Sequence, residues 1–193
     1  MKTVENCFSN SVFNKIKNQV FDNGTPWHFI KTTYNDSHLE SIINNYSWVH
    51  SVMMNEQPTS HLFNNLYPEL INLLVRNKEQ FTKILRIRLG LITNTTQQFV
   101  NDAHVDLEFD HKVGLIYLNS SDAPTYIYQE QYDPNSKMNI FQYINNKYNG
   151  NLNILSISEC KENKLVLFNG MNFHSSSTPT NVPRRIVINF NYI

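Results

Sequence analysis

Seven histidines and 16 acidic residues are spread over 193 positions, and the spacing His-x-Asp/Glu occurs twice among them. The two matches are His38-Leu39-Glu40 and His104-Val105-Asp106. With these counts, chance alone accounts for a match, so geometry has to separate the two. His38 and Glu40 fall in residues 37–46, where Leu39, Ile42 and Ile43 mark one face of an expected helix. Residues two apart on a helix point about 200° apart and cannot share an ion. His104 and Asp106 end an extended segment, where residues i and i+2 project from one face. Both can reach a single small cavity, and imidazole with carboxylate is a ligand pair for a divalent transition metal.

A third ligand must come from another strand. His111 sits five residues past Asp106, in the turn expected before Val113, which is a poor position for it. His174 follows the apolar strand expected over residues 164–169 and is the better placed. The plain alternative for His174 is a strand-end histidine bonded to its neighbours. Taken together, two histidines and a carboxylate on one face leave three adjacent positions of an octahedral ion open, as in non-haem Fe(II) oxygenases. A structural zinc would instead close four positions, often with thiolates.

The elements that must position these groups change character near the middle of the chain. Residues 1–82 read as mainly helical with one strand. Val12, Ile16, Val20 and Phe21 form one apolar face after a cap at Ser9 or Asn10, and residues 27–34 read as a strand after a Gly-Thr-Pro turn. Leu62, Phe63, Leu66, Leu70, Ile71, Leu73 and Leu74 line a longer helix over residues 59–77, with a kink or a break expected at Pro68. From Lys83 the period becomes two. Residues 84–93, 98–106, 112–119, 125–128, 152–159, 164–169 and 184–193 read as strands separated by Asn, Ser, Asp and Pro clusters. Seven short strands after a helical start predict an α+β, mainly β domain. The expected form is an antiparallel sandwich with the N-terminal helices packed on one outer sheet face. Residues 129–150 carry no clear strand pattern and form either a functional loop or a decorated hairpin connection.

Lys plus Arg equals Asp plus Glu at 16 each, which argues against a protein built to grip nucleic acid or an anionic membrane. No apolar run approaches the roughly 20 residues of a membrane span, and residues 1–10 lack the apolar stretch of a signal peptide. Cys7 and Cys160, at unrelated spacing, fit a reducing compartment. The expectation is one soluble, cytoplasmic domain over residues 1–193.

The order of four motifs resembles the Fe(II)- and 2-oxoglutarate-dependent dioxygenases, in particular their compact prolyl-4-hydroxylase-like branch. The motifs are His104-x-Asp106, then Gly114-Leu-Ile-Tyr-Leu-Asn119, then Lys164-Leu-Val-Leu-Phe-Asn-Gly170 leading to His174, and last Arg185-Ile-Val-Ile-Asn-Phe190. The resemblance covers about residues 84–193. It implies a double-stranded β-helix, the cupin-like jelly roll, over residues 83–193, with residues 1–82 as support. It implies that His104, Asp106 and His174 hold Fe(II) and that a basic residue on the last strand pairs with the distal carboxylate of 2-oxoglutarate.

Alternation on that strand separates two candidates for the basic residue. Arg184 shares a face with Ile186, Ile188, Phe190 and Tyr192, the side expected under helices, whereas Arg185 shares one with Val187, Asn189 and Asn191. Arg185 is therefore the expected partner. Tyr117 matches a family tyrosine that reaches the same carboxylate, and Thr125 and Tyr126 are expected along the same pocket. Two departures from the family stand out: Asp122-Ala-Pro-Thr125 replaces a common Gly-Gly pair, and Val187 replaces a hydroxyl residue. The implied activity is hydroxylation of an unactivated C–H bond with O2, releasing succinate and CO2, with ascorbate as an auxiliary reductant. The substrate class left open is a peptidyl proline or a small metabolite. The rival readings are a non-catalytic jelly-roll ligand-binding module and a cupin-type metalloenzyme that does not use 2-oxoglutarate.

Overall fold

The computed structural model describes residues 1–30 and 46–193. His38, Glu40 and nearly all of the helix expected over residues 37–46 lie outside the described residues, as does the second half of the strand expected over 27–34.

Two antiparallel sheets face each other. In the larger, the order is β1 (Lys2–Val4), β9 (Leu165–Asn169), β6 (Lys112–Tyr117), β11 (Arg184–Tyr192), β5 (Ile84–Thr93), β3 (Ser47–Met54) and β2 (His28–Ile30), with β4 (Gln57–Pro58) paired to β3. The smaller runs β10 (Asn172–Ser176), β7 (Ser121–Gln131), β8 (Ile154–Cys160). Chain neighbours alternate between sheets, as β6 to β7 and β9 to β10 do, which makes this the expected double-stranded β-helix rather than a meander.

Helices α1 (Asn10–Phe21) and α2 (Phe63–Arg76) cover the outer face of the large sheet. Ser9 caps α1, its hydroxyl accepting from the Val12 amide. Pro68 lies inside α2, yet the helix runs unbroken. Leu66, Leu70, Leu73 and Leu74, all 2% exposed or less, hold it on the sheet. Burying four such side chains, at about 1.5–3 kcal/mol each, outweighs a penalty of about 3 kcal/mol for proline in a helix interior. Ile186, Ile188, Phe190 and Tyr192 of β11 meet the helices as their spacing predicted, and the odd-numbered residues face the other sheet.

Phe190 also explains a glycine. Gly114 is its cross-strand partner, and a Cβ on Gly114 would lie 2.0 Å from the Phe190 ring. The ring is fully buried and cannot give way. Gly114→Ala is expected to overpack this point and cost about 1–3 kcal/mol, read as a lower melting temperature and a lower urea midpoint. A wild-type melt would show that the ring has room that the structure does not give it.

Several elements depart from the sequence reading. The first 82 residues contribute β1 to β4 as well as helices. β3 escaped notice because it is bulged between Ser51 and Met53, so Val52 and Met53 are both buried and strict alternation fails. Residues 98–106 form no strand: they meet the small sheet through bridges Val100↔Ser177 and His104↔His174 and through side-chain bonds, Gln98 Nε2 to the Asp122 carbonyl and Asn101 Nδ2 to Ser176 Oγ. β10, carrying His174, is an extra strand. Residues 129–150 are less of a loop than expected, since β7 extends to Gln131 and α3 (Ile140–Tyr148) follows. Among the described residues, no helix is long and apolar enough to cross a membrane.

Candidate metal centre and cosubstrate pocket

His104 and His174 are brought together by backbone pairing. Each amide donates to the other's carbonyl at 3.0 Å, and the two rings stand 4.5 Å apart. Asp106, two residues on, turns to the same point: one ligand atom from each of His104, Asp106 and His174 lies within 4.8 Å of the others. His111 does not join them. It is buried, with Nδ1 against the Phe109 carbonyl, and its ring fills the space where Gly170 has no side chain.

The ring tautomers favour coordination. Nδ1 of His104 faces the Asp102 carbonyl at 3.1 Å, and Nδ1 of His174 faces the Asn172 carbonyl at 3.3 Å. A carbonyl only accepts, so Nδ1 carries the proton and Nε2 keeps its lone pair. Nε2 of His174 is buried without a hydrogen-bond partner, an arrangement that native interiors avoid unless something fills it. Burial first, then the neighbouring His104, pushes the His174 pKa down to about 4, so the ring is neutral at neutral pH.

Asp106 is nearly inaccessible and held from three sides. Arg86 Nη2 donates to Oδ1 at 2.7 Å, and the amides of Asn189 and Asn191 donate to Oδ2 at 2.9 and 3.0 Å. Arg86 Nε donates to Asn191 Oδ1 at 2.9 Å, which locks the group. Burial alone would raise the Asp106 pKa. The positive charges around it, His174 when protonated and then Arg86, His104 and Arg88, outweigh that and hold the carboxyl well below the usual carboxylate range. A carboxylate has about four lone-pair sites, so three donors still leave one for an ion. Two free Nε2 atoms and one free carboxylate lone pair make a donor set that fits a hard-to-borderline divalent metal such as Fe(II).

Sequence reasoning missed the clamp on Asp106. Its signal was Arg86 and Arg88, two charges at i and i+2 in a strand otherwise apolar, because a charge on a covered face needs a partner.

A cavity of about 1360 Å3 opens from the triad between the sheets. Arg185 lines it and is 3% exposed, whereas Arg184 lies on the helix side with its guanidinium over the Phe21 ring. Arg185 Nε donates to the Ala123 carbonyl at 3.1 Å and Nη2 to Thr125 Oγ1 at 2.7 Å. The Tyr117 hydroxyl donates to the same Thr125 oxygen at 2.9 Å, and the Arg185 guanidinium lies 5.4 Å from the Tyr117 ring centre. Among the described residues no carboxylate pairs with Arg185. A buried guanidinium held only by neutral oxygens is short of an anion. Tyr126 is not among the lining residues and Tyr128 is, because β7 shifts register between Ile127 and Tyr128. Val113, Leu115, Phe168 and Val187 form apolar walls, and Ile140, Phe141 and Ile144 of α3 border the cavity from the other side.

Fold and site together define a class: a double-stranded β-helix whose inter-sheet cavity is lined by a two-histidine, one-carboxylate cluster. Solved structures that share this fold include Fe(II)- and 2-oxoglutarate-dependent oxygenases. A prolyl hydroxylase of Trichoplax adhaerens, solved with a hypoxia inducible factor peptide, superposes with a TM-score of 0.57 at 13% identity, over 100% of this chain and 82% of that one. A 2OG-Fe(II) oxygenase family oxidoreductase of Burkholderia pseudomallei gives 0.60 at 12% identity, over 98% and 84%. HygX of Streptomyces hygroscopicus, solved with nickel and 2-oxoglutarate bound, gives 0.58 at 10% identity, over 98% and 81%. No family model and no curated protein matches the sequence.

Proposed function

We propose that this protein is an Fe(II)- and 2-oxoglutarate-dependent oxygenase that hydroxylates an unactivated C–H bond and releases succinate and CO2. One observation carries the reading: a single cavity holds a donor set shaped for a divalent cation and, beside it, a buried guanidinium that is bonded only to neutral oxygens among the described residues. In this reading His104, Asp106 and His174 hold the metal, and Arg185 with Thr125 and Tyr117 takes the distal carboxylate of 2-oxoglutarate. Bound together, metal and cosubstrate would supply the O2-activating chemistry, as cofactors do in such enzymes.

The chain's own residues do the rest. Arg86, Asn189 and Asn191 keep Asp106 ionised and fixed in direction, and the Asp102 and Asn172 carbonyls hold the imidazoles in the coordinating tautomer. Arg185 is an always-charged fork in a closed pocket, pre-aimed by Ala123 and Thr125, so its carboxylate partner meets two donors without rearrangement. The apolar walls exclude water and so strengthen every charge contact inside. α3 borders the cavity where a substrate would enter.

Metal-dependent binding of the cosubstrate tests the reading. With Mn(II) as a redox-inert substitute, 2-oxoglutarate is expected to bind the full chain, and to be released when the metal is chelated. Binding indifferent to metal, or none in folded protein, would favour a jelly-roll module that does not use the triad.

A further inference from the structure

Arg185 is not the only cation in the cavity that lacks an anionic partner among the described residues. Arg88 on β5 lies cross-strand from Asn189 on one side and from Ser51 on the other, and it lines the same cavity. Its Nε is enclosed and has no hydrogen-bond partner, and among the described residues its guanidinium makes no ion pair. Asp106, the nearest acid by charge, is already taken by Arg86, Asn189 and Asn191.

Among the described residues, three arginines line the cavity, Arg86, Arg88 and Arg185, against one buried carboxylate, Asp106; the other two acids that line it, Asp102 and Glu108, are exposed. A divalent ion and the 2-oxoglutarate dianion would cancel each other and leave this inner imbalance unchanged. Position also separates Arg88 from the cosubstrate's anchor. Arg185 sits opposite Ile92 and Arg88 opposite Asn189, four residues apart on β5, or roughly 13 Å along the strand. Gly90, between them on that face, adds no side chain to fill the gap. Asn189 bonds Asp106, so Arg88 lies level with the triad, whereas Arg185 lies at the far end of the floor.

We propose that Arg88 binds an oxyanion, carboxylate or phosphate, carried by the substrate itself, so that the substrate is a small acid. The proposal rests on the oxygenase reading for the word substrate, and on Arg88 alone for the anion. An anion level with the metal ligands must lie close to the carbon that reacts. A small acid meets that condition, whereas an internal peptidyl residue does not, since its own carboxyl has become an amide.

The test uses the 193-residue chain, Arg88→Met, and both proteins again in an Arg185→Met background, where Arg88 is left as the cavity arginine without an ion pair among the described residues. Arg88→Met is expected to raise the melting temperature of the anion-free protein, because it removes a half-buried cation whose enclosed Nε has no hydrogen-bond partner. Malonate or inorganic phosphate, at constant ionic strength and ten times its dissociation constant, is expected to stabilise Arg185→Met by about 3–6 °C. The double variant should lose most of that shift, and the better of the two probes names the oxyanion. A lower melting temperature for Arg88→Met would make Arg88 a structural counter-charge to Asp106 and overturn the proposal, as would equal shifts with and without Arg88. The oxygenase reading fails separately: an Arg88-dependent shift in a protein that binds no 2-oxoglutarate keeps the anion site and removes its role in hydroxylation.

Discussion

His174→Ala is expected to abolish tight Fe(II) binding, and with it any 2-oxoglutarate-coupled turnover, while the fold survives. Loss of a direct ligand should exceed the 10–100-fold typical of outer partners, so the metal affinity should fall by more than about 100-fold. Stability should change far less. The Nε2 atom has no partner in the metal-free protein, so its removal relieves an unsatisfied group even as it leaves a small void. The backbone pairing with His104 does not involve the side chain. Competition for Fe(II) with a chromophoric chelator, run beside a melting curve, reads both quantities. An affinity within tenfold of wild type would place the metal elsewhere.

Arg185→Met is expected to separate cosubstrate from metal. Charge-assisted hydrogen bonds contribute about 1.5–3 kcal/mol, so losing the fork should raise the dissociation constant of 2-oxoglutarate by about 100-fold or more. Metal affinity should stay within a few-fold, because Arg185 touches none of His104, Asp106 or His174. Methionine fills much of the vacated volume, and the Tyr117 hydroxyl still donates to Thr125, so the pocket should remain formed. Arg185→Lys should recover part of the affinity, as a point charge lacking the two-pronged geometry. Equilibrium dialysis with Mn(II)-loaded protein measures the effect, and an unchanged dissociation constant would leave Arg185 without a role in cosubstrate binding.

The triad could be read from sequence because its logic is local. Residues i and i+2 share a face in extended chain, and His104 and Asp106 keep that relation even though residues 98–106 form isolated bridges and no strand. Arg185 was separable from Arg184 for a similar reason, since β11 alternates cleanly between helix-facing Ile186, Ile188 and Phe190 and cavity-facing Val187 and Asn189. What stayed hidden is tertiary. Arg86 and Asn191 stand opposite each other only because β5 and β11 are neighbours in a particular register, and both bond Asp106 from there; no window of sequence contains that fact. The clamp on Asp106 and the isolation of Arg88 both come from that register. α3 was overlooked for a different reason: Ile140, Tyr143, Ile144 and Tyr148 do follow a helical period, but they sit in an asparagine-rich stretch of low helix propensity. Packing against Tyr132 and Phe173 supplies what local preference does not.

One cavity is expected to assemble a metal and 2-oxoglutarate side by side. Anaerobic addition of Fe(II) and then 2-oxoglutarate should produce the visible metal-to-ligand charge-transfer band that arises only when the keto acid chelates the iron. Wild type should show the band, His174→Ala none, and Arg185→Met a band only at much higher 2-oxoglutarate. No band in folded, iron-loaded wild-type protein would contradict that expectation, and would leave the fold of an oxygenase without the chemistry.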